Sequence, residues 1–562
     1  MATEPPTELP TELAQELSVA LRAWLQALVA RVDGLVAENT KLRAENTKLR
    51  AQVTELQDEV RRLKNLPKKP KGKDKRGRDV SSEKDRKGEP TPRTHAGKDV
   101  PVDRTERCRV PASQRPQGAV RDGFEETVIQ ELVVLRRNTQ FRRERWLDKA
   151  TGKVMIAPLP KGWEGFGYGP ELRAELLTAY WKRNVPQPQL LAWLTDHGIL
   201  MSAGELSRLL VHTLSGFEQE REAVRAAGME TTPCLQMDVT STRVDGEARS
   251  CFVLGDKDFT VFDTRPSHDR LQTLCVLCGW DTPRYRVNAD VIARAVEAEV
   301  PEGHLWRLMQ LEQDKTFDAA GFEAAWSVAF EEPDEKARWV GEKSRRALHE
   351  LCALAAAWHE QPGLRALKLH ADEAKHFDGL TAFRGLCWIH DGRHYAKLQP
   401  GSDQVADEEV ALVRAWYWGF YRALQGYCAA PEPAQAKELA ARFDQFFGAT
   451  PRWKPLAKRL AMSLAKKVEL LEVVLSHPQM PLHNNAMEQG ARVRVRKRVI
   501  SGGPRSEAGR RAQDIMHSVL ETARKLRLGA WAYVRDRVLR LGLIEPLAVL
   551  LRRRRLLPAP SS

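Results

Sequence analysis

The strongest constraint on this chain is a seven-residue repeat near its start. Leu28, Leu35, Leu42, Leu49, Leu56 and Leu63 fall at d, with Leu25, Val32, Asn39, Asn46, Val53 and Val60 at a. A seam kept at a 3.5-residue period over six heptads stays on one side of a helix only if two helices supercoil, so a leucine-zipper coiled coil is predicted over residues 21–66. Asn39 and Asn46 weaken such a seam but favour two strands in one register, because each amide pairs with its mate. In a parallel dimer Glu38 faces Arg43, Glu45 faces Arg50 and Glu59 faces Lys64 of the second copy, every pair opposite in sign. The other reading, a surface helix packed on its own domain, rarely sustains this period for so long. Residues 1–20 are read as a disordered N-terminus.

Residues 67–109 carry 15 Lys/Arg against 8 Asp/Glu and almost nothing apolar. Such a stretch cannot bury enough surface to offset its ordering entropy, so 67–119 is read as a basic disordered linker, either a spacer or a non-specific phosphate contact. The whole chain of 562 residues has 89 Lys+Arg against 75 Asp+Glu, a net +14 that favours a polyanionic partner. No apolar run reaches membrane-spanning length and MATEPPTELP lacks the regions of a signal peptide, so a cytoplasmic protein without a membrane partner is expected. Eight scattered cysteines are too few for a disulfide scaffold.

Beyond the linker, TVIQELVVL and QFRRERWL predict strands in a small β-rich element over 120–165. From Pro170 the pattern turns helical. A helix ending at Asp196-His197-Gly198 and a second opening at Ser202 predict a helix-turn-helix DNA-binding region over 166–228, with Ser202, Glu205 and Arg208 towards its DNA face. Plain packing of a helix pair is the alternative. Cys275 and Cys278 form a lone CxxC in an apolar stretch and are read as core. Cys387, His390 and His394 form a C-x-x-H-x-x-x-H set with no fourth partner, which is weak support for structural zinc.

Three carboxylates stand out by their surroundings. Asp238 lies in PCLQMDVTSTRV, the first of three strand-like runs, Asp372 closes RALKLHAD, and Glu488 sits in PLHNNAMEQG, where Asn484 or Asn485 is expected to cap its helix. Two acids on neighbouring strands and a third on a helix can hold two Mg²⁺ about 4 Å apart for in-line phosphoryl transfer. The helical patterns at 283–362 and 403–475 read as insertions between the acids. In the second, Trp416, Trp418, Phe420 and Tyr421 form a cluster read as helix packing, with base stacking as the alternative. Residues 489–511 hold eight Lys/Arg against one acid, and Arg492, Arg494, Arg496, Lys497 and Arg498 are candidate DNA contacts. Arg552 to Arg555 are either a further phosphate contact or disordered.

LHADEAKHF, LCWIHDGRHYAKL and PLHNNAMEQGARVRVRKRVISGGPRSEAG together resemble the insertion-sequence-66 family of transposases, in its longer-linker branch. The resemblance runs from the coiled coil through the C-terminal region. It implies a ribonuclease-H-like catalytic domain over 229–530 with a DDE triad of Asp238, Asp372 and Glu488, Glu373 and Asp378 competing for the second place, and His390 and Arg393 contacting DNA phosphate or supporting the site. It also implies two Mg²⁺ ions, for which Mn²⁺ may substitute, and small accessory proteins of the same element. Two departures stand out: the family's cysteine-rich segment is reduced to Cys108, so no zinc is expected, and His483 replaces the Asp usual before the Asn pair.

The fold expected is an α/β multidomain chain: coiled coil, helix-turn-helix, catalytic domain with helical insertions, and a mostly helical C-terminus with a helix and basic tail over 531–562. The function expected is a DNA transposase, a homodimer or higher oligomer on element ends and target DNA. Its chemistry is metal-dependent cleavage and strand transfer, first by water and then by a 3′-OH. A non-enzymatic zipper and helix-turn-helix regulator, or a ribonuclease-H-like nuclease, are the competing readings. No GxxxxGK segment is present, so no ATP-driven step is expected.

Overall fold

The computed structural model describes residues 102–115, 117–164, 167–330 and 342–556, together with the isolated positions Gly34, Glu38, Lys41 and Glu45. The chain divides into two units, Met1–Val100 and Pro101–Ser562. In the first, the four described positions are helical and exposed. The zipper residues Leu28, Leu35, Asn39, Leu42, Asn46, Leu49, Leu56 and Leu63 lie outside the described residues, as do most of the N-terminus and linker.

The second unit opens with an exposed stretch without regular structure, apart from one short 3-10 turn at Ala112–Gln114. The β-rich element expected over 120–165 reduces to a two-stranded antiparallel hairpin, β1 Arg145–Leu147 and β2 Val154–Ile156. Its turn is held by Asp148, which accepts from the Ala150 N–H at 2.9 Å and the Thr151 hydroxyl at 2.6 Å. The run TVIQELVVL forms no strand and joins no sheet, and most of its apolar side chains are left uncovered: Ile129 is 85% and Leu132 87% exposed.

Helices then form where their caps dictate. Helix Pro170–Trp181 begins with proline at its first position, and helix Gln187–Asp196 ends at Gly198, whose φ of +64° is the left-handed residue of a Schellman cap. The Ile199 N–H returns to the Leu194 carbonyl and the Gly198 N–H to that of Thr195, both at 2.9 Å. Ser202 and Glu205 close a capping box at the start of Ala203–His212, burying Leu206, Leu209 and Leu210. Helix Ser215–Thr231 leads into the sheet.

Strands β3 Leu235–Val244, β4 Glu247–Gly255 and β5 Thr260–Arg265 form an antiparallel meander. Asp245 and Gly246 both take positive φ, the two-residue turn that matches strand twist. Small strands β6 Tyr285–Arg286 and β7 Thr316–Phe317 pair within the first insertion, beside helices Ala289–Glu297, Glu302–Met309, Ala319–Phe330 and Glu342–Glu360. The chain then returns as β8 Lys368–Ala371, parallel to β3, and β9 Phe383–Leu386, parallel to β8. The order is β5-β4-β3-β8-β9.

Two large apolar cores result, with two small clusters beside them, one of which packs Met487 and Ala491 on Cys251, Val253 and Phe262 of the sheet. The larger core joins the sheet, helices Pro170–Trp181, Gln187–Asp196 and Ala203–His212, and the helices between β5 and β8. The smaller gathers around Trp388, with Tyr417, Phe420 and Tyr421 of helix Gln404–Ala429, and Phe443 and Phe447 of helix Pro433–Phe447. The expected aromatic cluster is therefore packed: Trp416 stacks on Phe446 with ring centres 3.4 Å apart, and Trp418 lies against Gly392. Among the described residues no helix is long and apolar enough to cross a membrane.

Helix Glu507–Lys525 solves the problem of the free edge of β5. Three of its side chains, four residues apart, take alternate backbone N–H groups: Thr522 that of Thr260 at 3.1 Å, Ser518 that of Phe262 at 2.9 Å and Asp514 that of Thr264 at 3.0 Å. Helix spacing and strand spacing coincide because four helical residues rise about 6 Å, the length of two strand residues. Replacing Ser518 by Ala should strand the buried Phe262 N–H and cost about 1–3 kcal/mol, read as a lower urea midpoint. An unchanged midpoint would show that the edge does not depend on these side chains.

Candidate active site

Asp238 and Asp372 come together through strand register. Leu235 pairs with Leu369 and Gln236 with His370, and the same offset sets Asp372, one residue past the end of β8, beside Asp238. On the other side of β3, Asp238 lies opposite Val253 of β4. Residues opposite each other share a sheet face, and helix Asn485–Ser501 rests on this one. Gly490 permits the close approach, since a Cβ there would come within 2.7 Å of Val253 Cγ1. Glu488, in the first turn of that helix, is thereby brought over the two aspartates.

Several bonds fix this seating. The Asn484 amide donates to the Met237 carbonyl at 2.6 Å, next to Asp238, and the Gln236 amide donates to the His483 carbonyl at 2.9 Å. Asn484 sits at the cap position but makes no side-chain cap bond, so its expected capping role is replaced by a tie to β3. The CWIH block closes the other side. The Asn484 N–H donates to the Cys387 thiol at 3.4 Å and the Trp388 N–H to the Leu482 carbonyl at 3.0 Å. From helix Trp388–Ala396, His390 and Arg393 each come within 3.4 Å of the Glu488 carboxylate. Three sequence blocks far apart in the chain thus meet at one place.

All three acids are partly buried. Burial first, then the nearby Asp372 and Glu488 charges, push the Asp238 carboxyl up to about 7 against the pull of the Val239 N–H and Arg393. Asp372 is occupied by a turn bond from the Ala374 N–H at 3.1 Å. Its competitors are taken by cations: Glu373 by His394, at 2.7 Å, and Lys466, and Asp378 by Arg384. Among the described residues no three His, Cys, Asp or Glu side chains form a group that could hold a metal ion. The cysteines and histidines of the possible zinc set have other work, and burial pushes Cys387 up to about 11 and Cys275 and Cys278 up to about 12.

The basic run divides by helix face. Arg492 and Arg496 are exposed and follow Glu488 at four-residue steps, so they line the same stripe. Arg498 is half-buried and donates to the Ser241 carbonyl. Arg494 and Lys497, expected to contact DNA, are instead 1% exposed. Arg494 pairs with Asp514, donates to the Thr264 hydroxyl at 3.0 Å and lies 3.2 Å from the Cys251 thiol. Lys497 donates to the Tyr180 carbonyl at 2.6 Å and stands 3.4 Å from the Tyr180 ring centre, where burial pushes it down to about 7. Asp514 meets the charge of Arg494 inside the protein, whereas Lys497 has only a carbonyl and an aromatic ring beside it, and residue type alone does not reveal either burial.

At the helix-turn-helix, Ser202, Glu205 and Arg208 are all exposed, but Ser202 and Glu205 bond each other in the cap, leaving Arg208 as the outward cation of the three. Arg552, Arg554 and Arg555 pair with Glu230, Asp258 and Asp256, and Arg553 with Glu545, so this arginine run is folded against internal acids.

The pKa of Asp238 gives a direct test of the convergence. Asp372→Asn should lower it, by removing a like charge, and Arg393→Ala should raise it. Carbon-13 NMR of labelled aspartate carboxyls reads both shifts, and no change in either variant would mean that the groups do not share a site.

No family model matches the chain and no solved structure matches it. A curated protein from Sinorhizobium fredii (strain NBRC 101917 / NGR234), printed as "Uncharacterized protein y4jO", is 32% identical over 333 residues, covering 58% of this chain and 98% of that protein. Nearly the whole of that protein is therefore matched within this one, and the chain belongs to the same family as y4jO of Sinorhizobium fredii.

Proposed function

We propose that this chain is a DNA transposase of the insertion-sequence-66 type, binding the terminal inverted repeats of its element and carrying out metal-dependent strand cleavage and strand transfer. The observation that carries the reading is the convergence of Asp238, Asp372 and Glu488 from two neighbouring strands and a helix. A purely structural role for three like charges would be costly, since crowding them destabilises the ionised forms. The strand order, a three-stranded meander followed by two parallel strands, supports a ribonuclease-H-like catalytic domain.

The donor set is all oxygen and suits Mg²⁺, or Mn²⁺ in its place. As they stand the three carboxylates do not form a ready metal-binding group; drawn together by the ions, Asp238, Asp372 and Glu488 would hold two of them, which would supply Lewis-acid neutralisation of charge at the phosphorus undergoing in-line displacement. His390 and Arg393 orient Glu488, and Arg393 keeps positive charge beside the acids. Arg492 and Arg496 offer phosphate contacts leading away from Glu488 along its helix. Arg208 presents a cation at the start of the helix proposed to enter the major groove. Water and then the 3′-OH of the element end are the nucleophiles, so no residue bonds covalently to DNA.

Purified protein incubated with labelled element ends should give 3′-end cleavage with Mg²⁺ and none with chelator. Asp238→Asn, Asp372→Asn or Glu488→Gln should abolish cleavage while leaving end binding largely intact. Tight end binding without metal-dependent cleavage by the unaltered chain would instead favour a DNA-binding regulator, and cleavage of RNA–DNA hybrids without preference for ends a nuclease. Replacing Arg492 or Arg496 by Ala should weaken DNA binding across sequences and reduce the salt slope by about 1 each. An unchanged slope would remove that residue from the phosphate track.

A further inference from the structure

The run before the hairpin meets the rest of its described chain through side chains, Arg136 donating to the Gly198 carbonyl at 3.0 Å and Phe141 lying edge-on to Trp163, and not through its backbone. From Ala119 to Arg142 no backbone–backbone hydrogen bond forms among the described residues. Val120, Ile129, Leu132 and Leu135 are each more than 80% exposed, and Val128, Val133 and Val134 more than 50%. An unpaired stretch of backbone lined by exposed aliphatic side chains is a template for strand pairing.

The charges identify the occupant. Residues 120–135 contain four acids, Asp122, Glu125, Glu126 and Glu131, against the single Arg121. Residues 136–145 contain five arginines, Arg136, Arg137, Arg142, Arg143 and Arg145, against the single Glu144. The more apolar half is thus acidic, which argues against DNA as its partner, and its complement is the half that follows. An antiparallel pairing with a second copy, centred on Val134, satisfies both halves at once: Glu131 faces Arg137, Glu126 faces Arg142 and Glu125 faces Arg143. The two-fold axis repeats each pair, Gln130 falls opposite Asn138, and Val133 opposite Leu135. Opposite-charge pairs directly across a ladder stabilise it, and like charges there oppose it. Among the described residues none of Glu125, Glu126, Glu131, Arg137 and Arg142 has an ion-pair partner in its own chain. The heptads at the N-terminus independently ask for the same occupant.

We propose that residues 125–143 of two copies pair as an isologous antiparallel β-ribbon centred on Val134, forming a dimer contact separate from the coiled coil. The contact is independent of the catalytic reading and stands whether or not the chain cleaves DNA.

The test is disulfide cross-linking in the full chain with the exposed Cys108 replaced by Ser. Residues facing across a strand pair have Cα atoms within disulfide range, so Val134→Cys should cross-link to itself under mild oxidation. Glu131→Cys, which faces position 137 instead of itself, should cross-link at least about tenfold more slowly, because its mate lies roughly 20 Å away along the ribbon. Arg137→Glu should suppress the Val134→Cys cross-link, and adding Glu131→Arg should restore it. Equal cross-linking at 131 and 134 would mean mere tethering and overturn the proposal. So would a 134 cross-link that appears only with added DNA, or one indifferent to both charge reversals.

Discussion

The architecture around the three acids depends on one helix lying flat on one sheet. Helix Asn485–Ser501 reaches the sheet because Gly490 has no side chain to hold it away from Val253. It stays there because Arg494, buried beneath it, is shared between Asp514, Thr264 and Cys251. An unpaired arginine at that depth would be prohibitive, whereas one with an acid, a hydroxyl and a thiol around it locks two helices to two strands. Asp514 is therefore used twice, once for Arg494 and once to cover the edge of β5, so the closing of the sheet and the seating of the helix are a single arrangement. Arg510 adds a second cation to the same acid at 2.7 Å.

From that seating the rest of the site follows. The loop before the helix is drawn against β3 by Asn484 and Gln236, and against the CWIH block by Cys387 and Trp388. The acids are left partly open to solvent, with positive side chains beside one of them and along the helix beyond. Such an arrangement tolerates crowded negative charge only while neighbouring cations or bound ions share it.

Much of this was legible in the sequence, and the rest was hidden for identifiable reasons. Asp372 stands out because it closes a strand-like run, Asp238 because it lies within one and Glu488 because it follows a capping signal, with the family resemblance grouping the three; the helical insertions stand out because their apolar periodicity is long. Ser202 and Glu205 were visible as residues at the opening of a helix, but that they spend themselves on its cap needs the spacing of a capping box to be noticed. Arg494 and Lys497 were misread because a basic run on a helix shows charge and not depth; the apolar positions Met487, Gly490 and Ala491 on the same face were the signal that the buried stripe passes through 494 and 497. The edge cover on β5 was missed because Asp514, Ser518 and Thr522 look like ordinary polar residues, although their four-residue spacing against an alternate-residue strand is its mark. TVIQELVVL reads as a strand by composition and finds no strand to join, since pairing is a property of two segments and composition describes only one.

Trp388 and His390 are two residues apart on one short helix, yet they belong to different worlds. The tryptophan is wholly buried in the second core, its ring N–H donating at 2.8 Å to the Leu470 carbonyl in a π-helical turn at Val468–Glu472. The histidine touches the third acid. One short helix therefore joins the second core to the third acid, so the packing around Trp388 and the surroundings of Glu488 are set by the same element.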